Sequence, residues 1–154
     1  MKYIIDANNL AGKLDILGEK DFDKILIEKV KIINQGRKRK YFLVFDSLDP
    51  MGDKYFDDGV AVIYTPRDGF YDGADDKIVE LLTVKDEYVL VTDDLDLIKR
   101  VEKLEIEKDF KILKIKASDF AKKINFQQEE TDEKFLLNQD DIDSINKELL
   151  KFWK

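Results

Sequence analysis

The stretch Leu90–Leu97 reads LVTDDLDL, and it joins the end of an apolar run to three carboxylates within four positions. Two like charges about 4 Å apart repel each other by about 4 kcal/mol at an effective dielectric constant of 20. Either these aspartates point away from one another into solvent, or a positive group lies among them. The apolar residues that precede the acids have the composition of a buried strand, so the position of this strand in the fold decides between the two interpretations.

The same pattern, an apolar strand that ends in an aspartate, occurs twice more in the chain. Lys2–Ile5 precedes Asp6, and Tyr41–Phe45 precedes Asp46. A further group of acids opens the segment around Gly73: Asp72, Asp75 and Asp76. In a parallel sheet the carboxyl ends of all strands lie at one edge, where open α/β sheets bind their ligands. We therefore expect these carboxylates to converge there.

Apolar runs and helical spacing alternate along the chain. The runs predict five strands: Lys2–Ile5, Tyr41–Phe45, Val60–Tyr64, Tyr88–Thr92 and Lys111–Ile115. Apolar residues three and four positions apart predict four helices: 21–35, which stops at Gly36, 74–83, 95–103, and 118–124, which is capped near Ser118. The segment that contains Pro50, Gly52 and Gly59 is predicted to be a polar loop. This alternation predicts an α/β domain whose mostly parallel sheet has helices on both faces.

The last part of the chain has a different composition. Residues 127–139 are polar and rich in acids, and 140–153 carry a stripe of apolar residues at helical spacing. We expect one domain over residues 1–126, followed over 127–154 by an acidic linker and an amphipathic helix. That helix would pack on the domain or form a homodimer with a second copy of the chain.

Composition excludes several kinds of chemistry. The 154 residues contain no histidine and no cysteine, so His-dependent nucleophile systems and zinc sites with histidine or thiolate ligands are ruled out. Catalysis would depend on carboxylates, lysines, tyrosines or hard metal ions. No apolar run approaches the roughly 20 residues of a membrane span, and Asp6 interrupts any signal-peptide core, so we expect a cytoplasmic protein without a membrane partner. The net charge of −7 argues mildly against nucleic-acid binding.

Converging carboxylates favour a bound divalent cation. Oxygen ligands without nitrogen or sulfur suit Mg²⁺ or Mn²⁺, and such sites commonly serve phosphate chemistry. The alternative for each single acid is structural, because aspartate after a strand is a common helix cap or turn former. Asp72 and Asp76 in particular have the positions of caps or helix-dipole partners.

Four motifs, in order along residues 2–124, resemble the NYN/PIN-like nuclease superfamily and especially its YacP-like NYN branch. YIIDANNL at Tyr3–Leu10 resembles the opening strand with its D-x-x-N motif, and LVFD at Leu43–Asp46 resembles the second strand. VAVIYT at Val60–Thr65 followed by GADDKI at Gly73–Ile78 is similar to the strand and A-D-D-x-I pattern. TDDLDL at Thr92–Leu97 is similar to the S/T-x-D-x-D motif.

Two positions depart from the pattern of this branch. Ala7 stands where the branch often has glycine. Asp93 occupies a position that is usually serine, asparagine or glycine, and so adds a charge.

The resemblance implies a PIN-like three-layer fold and a metal-dependent endoribonuclease that acts in RNA decay or turnover. It implies that Asp6, Asp75 and Asp94 hold a first Mg²⁺ or Mn²⁺, and that Asp96 assists or holds a second. Asn9 and Thr92 would orient the phosphate or water. Water activated by the metal would attack an RNA phosphodiester in line and leave a 5′-phosphate, and Asp46 would support the ligands or contact the substrate.

Several residues outside the acids are candidates for RNA contact. The basic run Arg37–Lys40 precedes the second strand and so lies at the edge opposite the acids. Arg67 and Lys77 flank the acidic loop and are better placed for phosphate, and Tyr71 beside Phe70 could stack on an unpaired base. Arg100 is predicted to be a surface residue. The expected partner is single-stranded or messenger RNA, with association with the ribosome as a further expectation.

Two other functions stay open. A non-catalytic RNA- or protein-binding module could keep the acidic edge without cleaving anything. A phosphatase of the haloacid-dehalogenase type requires Asp-x-Asp after the first strand, but the residue two positions after Asp6 is Asn8, so this alternative lacks its partner acid.

Overall fold

A computed structural model describes residues 1–35, 39–47, 52–66 and 71–127. The strands are β1 Lys2–Asp6, β2 Lys40–Asp46, β3 Asp53–Asp57, β4 Val60–Thr65, β5 Tyr88–Val91 and β6 Leu113–Ile115. The helices are α1 Ala7–Lys13, α2 Phe22–Asn34, α3 Ala74–Leu82, α4 Leu95–Lys108, and α5 over 117–127. Within the described part of the chain, the structure contains no helix that combines the length and the hydropathy of a membrane span.

The strands form one sheet in the order β3-β4-β2-β1-β5-β6. Every neighbouring pair is parallel except β3 and β4, which are antiparallel. The predicted α/β class with a mostly parallel sheet is therefore confirmed. Strands β1 and β5 lie side by side, with Ile5 opposite Val91, although most of the chain separates them in sequence.

Helices cover both faces of the sheet, which explains why the strands are apolar without alternation. Ile5, Leu43 and Val91 point to one face, where they join buried residues of α1, α2 and α5. Ile4, Val44 and Leu90 point to the other face, against α3 and α4. Because successive side chains of a strand point to opposite faces, each central strand contributes to both cores.

The sequence prediction missed two elements. β3 lies where a polar loop was expected, and the Asp58-Gly59 turn that joins it to β4 has positive φ at both residues, 49° and 83°. Asp-Gly between two strands is the signature of a tight hairpin, so the signal was present in the sequence. α1 was also missed, because its seven residues include two asparagines and a glycine, which favour helix weakly.

Other boundaries shift by a few residues. α4 continues to Lys108 rather than 103, β6 begins at Leu113 rather than 111, and β5 ends at Val91 rather than at Thr92. α5 begins at residue 117, so Ser118 is inside the helix rather than its cap. The predicted stop at Gly36 and the amphipathic helix over 140–153 lie outside the described residues, so the division at residue 126 stays a prediction.

Candidate metal centre

Three carboxylates from distant parts of the chain meet at the carboxyl edge of the sheet. Asp6 ends β1, Asp94 follows β5, and Asp75 is the second residue of α3. One oxygen from each of the three lies within 4.8 Å of the others. The site lies where β1 and β5 are neighbours, which is the point at which the strand order reverses and where ligands bind in open α/β sheets.

The three carboxylates open into a cavity of about 480 Å³. Its lining is mostly acidic and includes two asparagines and the guanidinium of Arg100: Asp6, Asn8, Asn9, Asp46, Asp72, Asp75, Asp76, Asp94 and Arg100 among others. Among the residues that the structure describes, Arg100 is the only cation in this lining. The cavity thus carries a strong negative potential at its base, with one positive group at its wall.

The carboxylates of Asp6 and Asp75, at the base of the cavity, have raised pKa values. Asp6 is only 6% exposed, and this burial, reinforced by the carboxylates of Asp75 and Asp46, raises its pKa from 3.8 to about 7. Burial and the neighbouring carboxylate of Asp94 raise the pKa of Asp75 to about 6, while the charge of Arg100 opposes that rise. Near neutral pH Asp6 is therefore partly protonated, and a cation could replace that proton.

Thr92 connects two of these carboxylates. Its hydroxyl donates to Oδ2 of Asp6 over 3.0 Å and accepts from the backbone N–H of Asp94 over 3.1 Å. The side chain is 2% exposed. In the structure its hydroxyl holds Asp6 against the loop that carries Asp94. The role of Thr92 in orienting phosphate or water, which the resemblance implies, stays a prediction.

Asp94 combines two tasks. Its Oδ1 accepts from the backbone N–H groups of Asp96 and Leu97, over 2.9 and 3.3 Å, and so caps the start of α4. Asp94 is therefore a helix cap, the structural role considered for such acids, and it also belongs to the carboxylate group. The cap fixes the side chain in one orientation, which points the carboxylate at the cavity.

The other two acids of LVTDDLDL point elsewhere. Oδ2 of Asp93 accepts from the backbone N–H of Ser118 over 3.1 Å and lies 3.6 Å from Nζ of Lys13, so Asp93 caps α5. Asp96 is exposed in the first turn of α4 and is outside the carboxylate group found among the described residues. The role of Asp96 as a helper or a second ligand stays a prediction.

Two asparagines of α1 tie the surrounding loops together. Oδ1 of Asn9 accepts from the backbone N–H of Asp93 over 2.9 Å, and Oδ1 of Asn8 accepts from the backbone N–H of Asp46 over 3.0 Å. Asn9, predicted to orient substrate, thus lines the cavity, and its side-chain carbonyl accepts a hydrogen bond from the β5–α4 loop. Asn8 was not predicted, because nothing local in the sequence shows that β2 ends beside it.

Two of the predicted substrate contacts, Tyr71 and Lys77, lie apart from the cavity, whereas Asp46 lines it. The hydroxyl of Tyr71 donates to Glu80, and Nζ of Lys77 lies 3.2 Å from the same carboxylate and 5.5 Å from the centre of the Tyr71 ring. Neither residue lines the cavity. Arg67 and Phe70 lie outside the described residues. Of the basic run, Arg39 lies over the ring of Tyr3 at the opposite edge of the sheet, as expected.

Arg100 was predicted to be a surface residue, and its side chain is indeed 45% exposed, but it also lines the cavity. Its Nη2 donates to Oδ1 of Asp76 over 2.8 Å, and Oδ2 of Asp76 accepts from the backbone N–H of Asp72 over 2.7 Å. This chain of contacts holds the guanidinium beside the carboxylate group. Its placement depends on the packing of α3 against α4, which sequence spacing does not reveal.

The donor set fits a hard divalent cation. Three carboxylates without nitrogen or sulfur ligands are the type of site that Mg²⁺, Mn²⁺ or Ca²⁺ prefers. Burial and the neighbouring carboxylates raise the pKa values of Asp6 and Asp75, and a cation would remove the part of that rise that comes from repulsion between carboxylates. These three residues could therefore hold a metal ion.

The sheet order, the helices on both faces and the acidic group at the carboxyl edge are consistent with a PIN-like α/β fold. Among solved structures, the chain is similar to a mutant of Rae1 (YacP) from Bacillus subtilis, with a TM-score of 0.62 and 17% identity, over 86% of this chain and 79% of that one. No family model and no curated protein matches the chain in sequence. At this identity the similarity establishes a YacP-like fold.

Proposed function

We propose that this protein is a metal-dependent endoribonuclease of the YacP-like NYN branch. The observation that supports it best is the meeting of Asp6, Asp75 and Asp94 within 4.8 Å at the ligand-binding edge of the sheet. These are the residues onto which the resemblance carries the metal ligands. The similarity of fold to a YacP structure agrees with the branch that the motifs resemble.

Asp6, Asp75 and Asp94 would hold Mg²⁺ or Mn²⁺ through carboxylate oxygens. The bound ion would supply a water of lowered pKa and positive charge for the developing phosphorane. The chain contributes the alignment of the ligands, because Thr92 fixes Asp6 and the Asp94 backbone, and the α4 cap fixes the Asp94 side chain. Since Asp6 has a pKa near 7, the cation would displace a proton and bind more tightly as pH rises.

The proposed substrate is single-stranded RNA, cleaved to leave 5′-phosphate ends. An acidic cavity repels phosphate until a cation occupies it, and Arg100 is then the described side chain best placed to contact a neighbouring phosphate. Binding of messenger RNA at the ribosome and dimerisation through the last helix remain parts of the proposal that rest on the sequence alone.

The direct test is incubation of an end-labelled single-stranded RNA with the purified protein. We expect internal cleavage with Mn²⁺ or Mg²⁺, none with EDTA, and products that a 5′-phosphate-dependent exonuclease degrades. RNA binding without cleavage under any of these ions would reject the nuclease and favour the non-catalytic module. A variant that lacks one of the proposed metal-binding aspartates, purified in the same way, controls for contaminating nuclease.

Replacing Arg100 by glutamine should weaken substrate binding more than catalysis. We expect KM for RNA to rise about tenfold and kcat to change less than threefold, because one phosphate contact is lost while the carboxylates stay in place. Mn²⁺ affinity, measured by calorimetry, should not fall. Lys103→Gln is the matched control, since it removes the same charge from an exposed position of α4 outside the cavity. Equal effects of the two variants would show that only net charge matters.

A further inference from the structure

The start of α3 is held by a side chain from another part of the chain. Gly73 occupies the cap position and offers no side-chain acceptor, yet the first N–H groups of a helix need one. Oδ1 of Asp46, at the end of β2, accepts from the backbone N–H of Ala74 over 2.6 Å. Negative charge at this end of a helix is also favourable to the helix dipole.

We propose that Asn8, Asp46 and Gly73 form a clasp that positions Asp75, and that Asp46 acts through this contact rather than by binding substrate or metal. Asp75 directly follows Ala74, so whatever fixes Ala74 on β2 also fixes the location of the Asp75 carboxylate. This inference rests on the proposed metal centre, because it concerns the placement of one of its ligands.

Gly73 allows the two parts to approach this closely. A Cβ at this position would lie 2.9 Å from Oδ1 of Asp46, the same oxygen that accepts from Ala74. The φ of Gly73 is 173°, an extended conformation that any residue adopts. An added methyl group would thus press on the Asp46 carboxylate, which would have to shift and so weaken its hydrogen bond to Ala74.

Asn8 completes the clasp from the side of β1. Asn8 is two residues after the proposed ligand Asp6, and its Oδ1 accepts from the backbone N–H of Asp46. The adjacent Asn9 accepts from the loop that carries Asp94. The first turn of α1 therefore touches β2 on one side and the β5–α4 loop on the other. Asp46 therefore connects the start of α3 to the turn that directly follows Asp6.

The test compares Mn²⁺ affinity, by calorimetry or electron paramagnetic resonance, in Asp46→Ala, Asp46→Asn and Gly73→Ala. Asparagine keeps an oxygen that can accept from Ala74 but lacks the charge, whereas alanine loses both. We expect Asp46→Ala and Gly73→Ala to bind Mn²⁺ at least tenfold more weakly than the wild type, and Asp46→Asn to stay within threefold. Asn8→Ala should show a smaller loss, since it acts one contact further away.

Equal losses in Asp46→Asn and Asp46→Ala would overturn the proposal, because they would mean that the charge of Asp46, and not its hydrogen bond to Ala74, supports binding of the ion. Wild-type affinity in Asp46→Ala would overturn it too. Crystal structures of the metal-free variants give a second readout: the Asp75 carboxylate should be displaced from Asp6 and Asp94 in Asp46→Ala and in place in Asp46→Asn. If the wild type binds no Mn²⁺, the metal centre fails, and these structures still decide whether the clasp positions Asp75.

Discussion

Replacing Asp94 by asparagine is expected to lower kcat/KM for metal-dependent RNA cleavage by at least about 1,000-fold, roughly 4 kcal/mol of transition-state stabilisation. The substitution removes one of the three charges that would bind the ion and leaves Asp6 and Asp75 with too little negative charge to hold it. The measurement is the rate of cleavage of a single-stranded RNA over a range of Mn²⁺ concentrations. Cleavage at the wild-type rate would reject the assignment of the site.

Asparagine is the informative replacement because Asp94 also caps α4. Its side-chain oxygen accepts from two backbone N–H groups, and asparagine caps helices about as well as aspartate. The melting temperature in EDTA should therefore change little. Asp96→Asn is the matched comparison, because it removes the same charge from an exposed side chain two residues after Asp94. A comparable loss in that variant would support the predicted role of Asp96 as a further ligand.

Replacing Asp6 by asparagine is expected to stabilise the metal-free protein at pH 8 by about 2–4 kcal/mol. The pKa of Asp6 is raised from 3.8 to about 7 by burial, so between these values the folded protein holds a proton that the unfolded chain has released. The free energy of unfolding must then fall as pH rises from about 4 to about 7. Asp75, whose pKa is raised to about 6, acts in the same direction.

The measurement is urea denaturation in EDTA at pH 5 and at pH 8. The wild type should lose stability between the two, and the Asp6→Asn variant should lose much less. Asparagine can still accept the hydrogen bond from Thr92, so the local contacts survive the substitution. Adding Mn²⁺ at pH 8 should raise the melting temperature of the wild type and leave the variant unchanged. A variant that is less stable than the wild type at pH 8 in EDTA would contradict this account of the buried charge.

Much of the fold follows from patterns that are local in sequence. Continuous apolar runs predict buried strands, and spacing by three and four predicts helices, so β1, β2, β4, β5 and most of α2, α3 and α4 could be recognised. β3 was harder, because Asp53–Asp57 lies at the sheet edge with mostly exposed side chains and carries no apolar pattern. The Asp58-Gly59 turn was the usable signal.

The acids illustrate where local pattern ends. The strand that precedes Asp94 and the strand that ends at Asp6 are recognisable separately, and parallel topology predicts that their carboxyl ends share an edge. Which acids face each other depends on β1 and β5 being neighbours, and on helix starts that orient each side chain. Asp93, Asp94 and Asp96 are nearly adjacent in sequence, yet one caps α5, one joins the carboxylate group and one faces solvent.

The sequence by itself determined the α/β class, the absence of histidine and cysteine chemistry, and the placement of aspartates at the ends of strands, since composition and periodicity need no knowledge of distant contacts. Only the tertiary structure decided that Arg100 reaches the cavity, that Thr92 is buried between Asp6 and the backbone of Asp94, and that Asp46 holds α3. Each of these joins residues at least two dozen positions apart or depends on how two elements pack. Such contacts depend on the order of the strands and on how each helix is rotated about its axis. The spacing of residues along the sequence does not predict either of these.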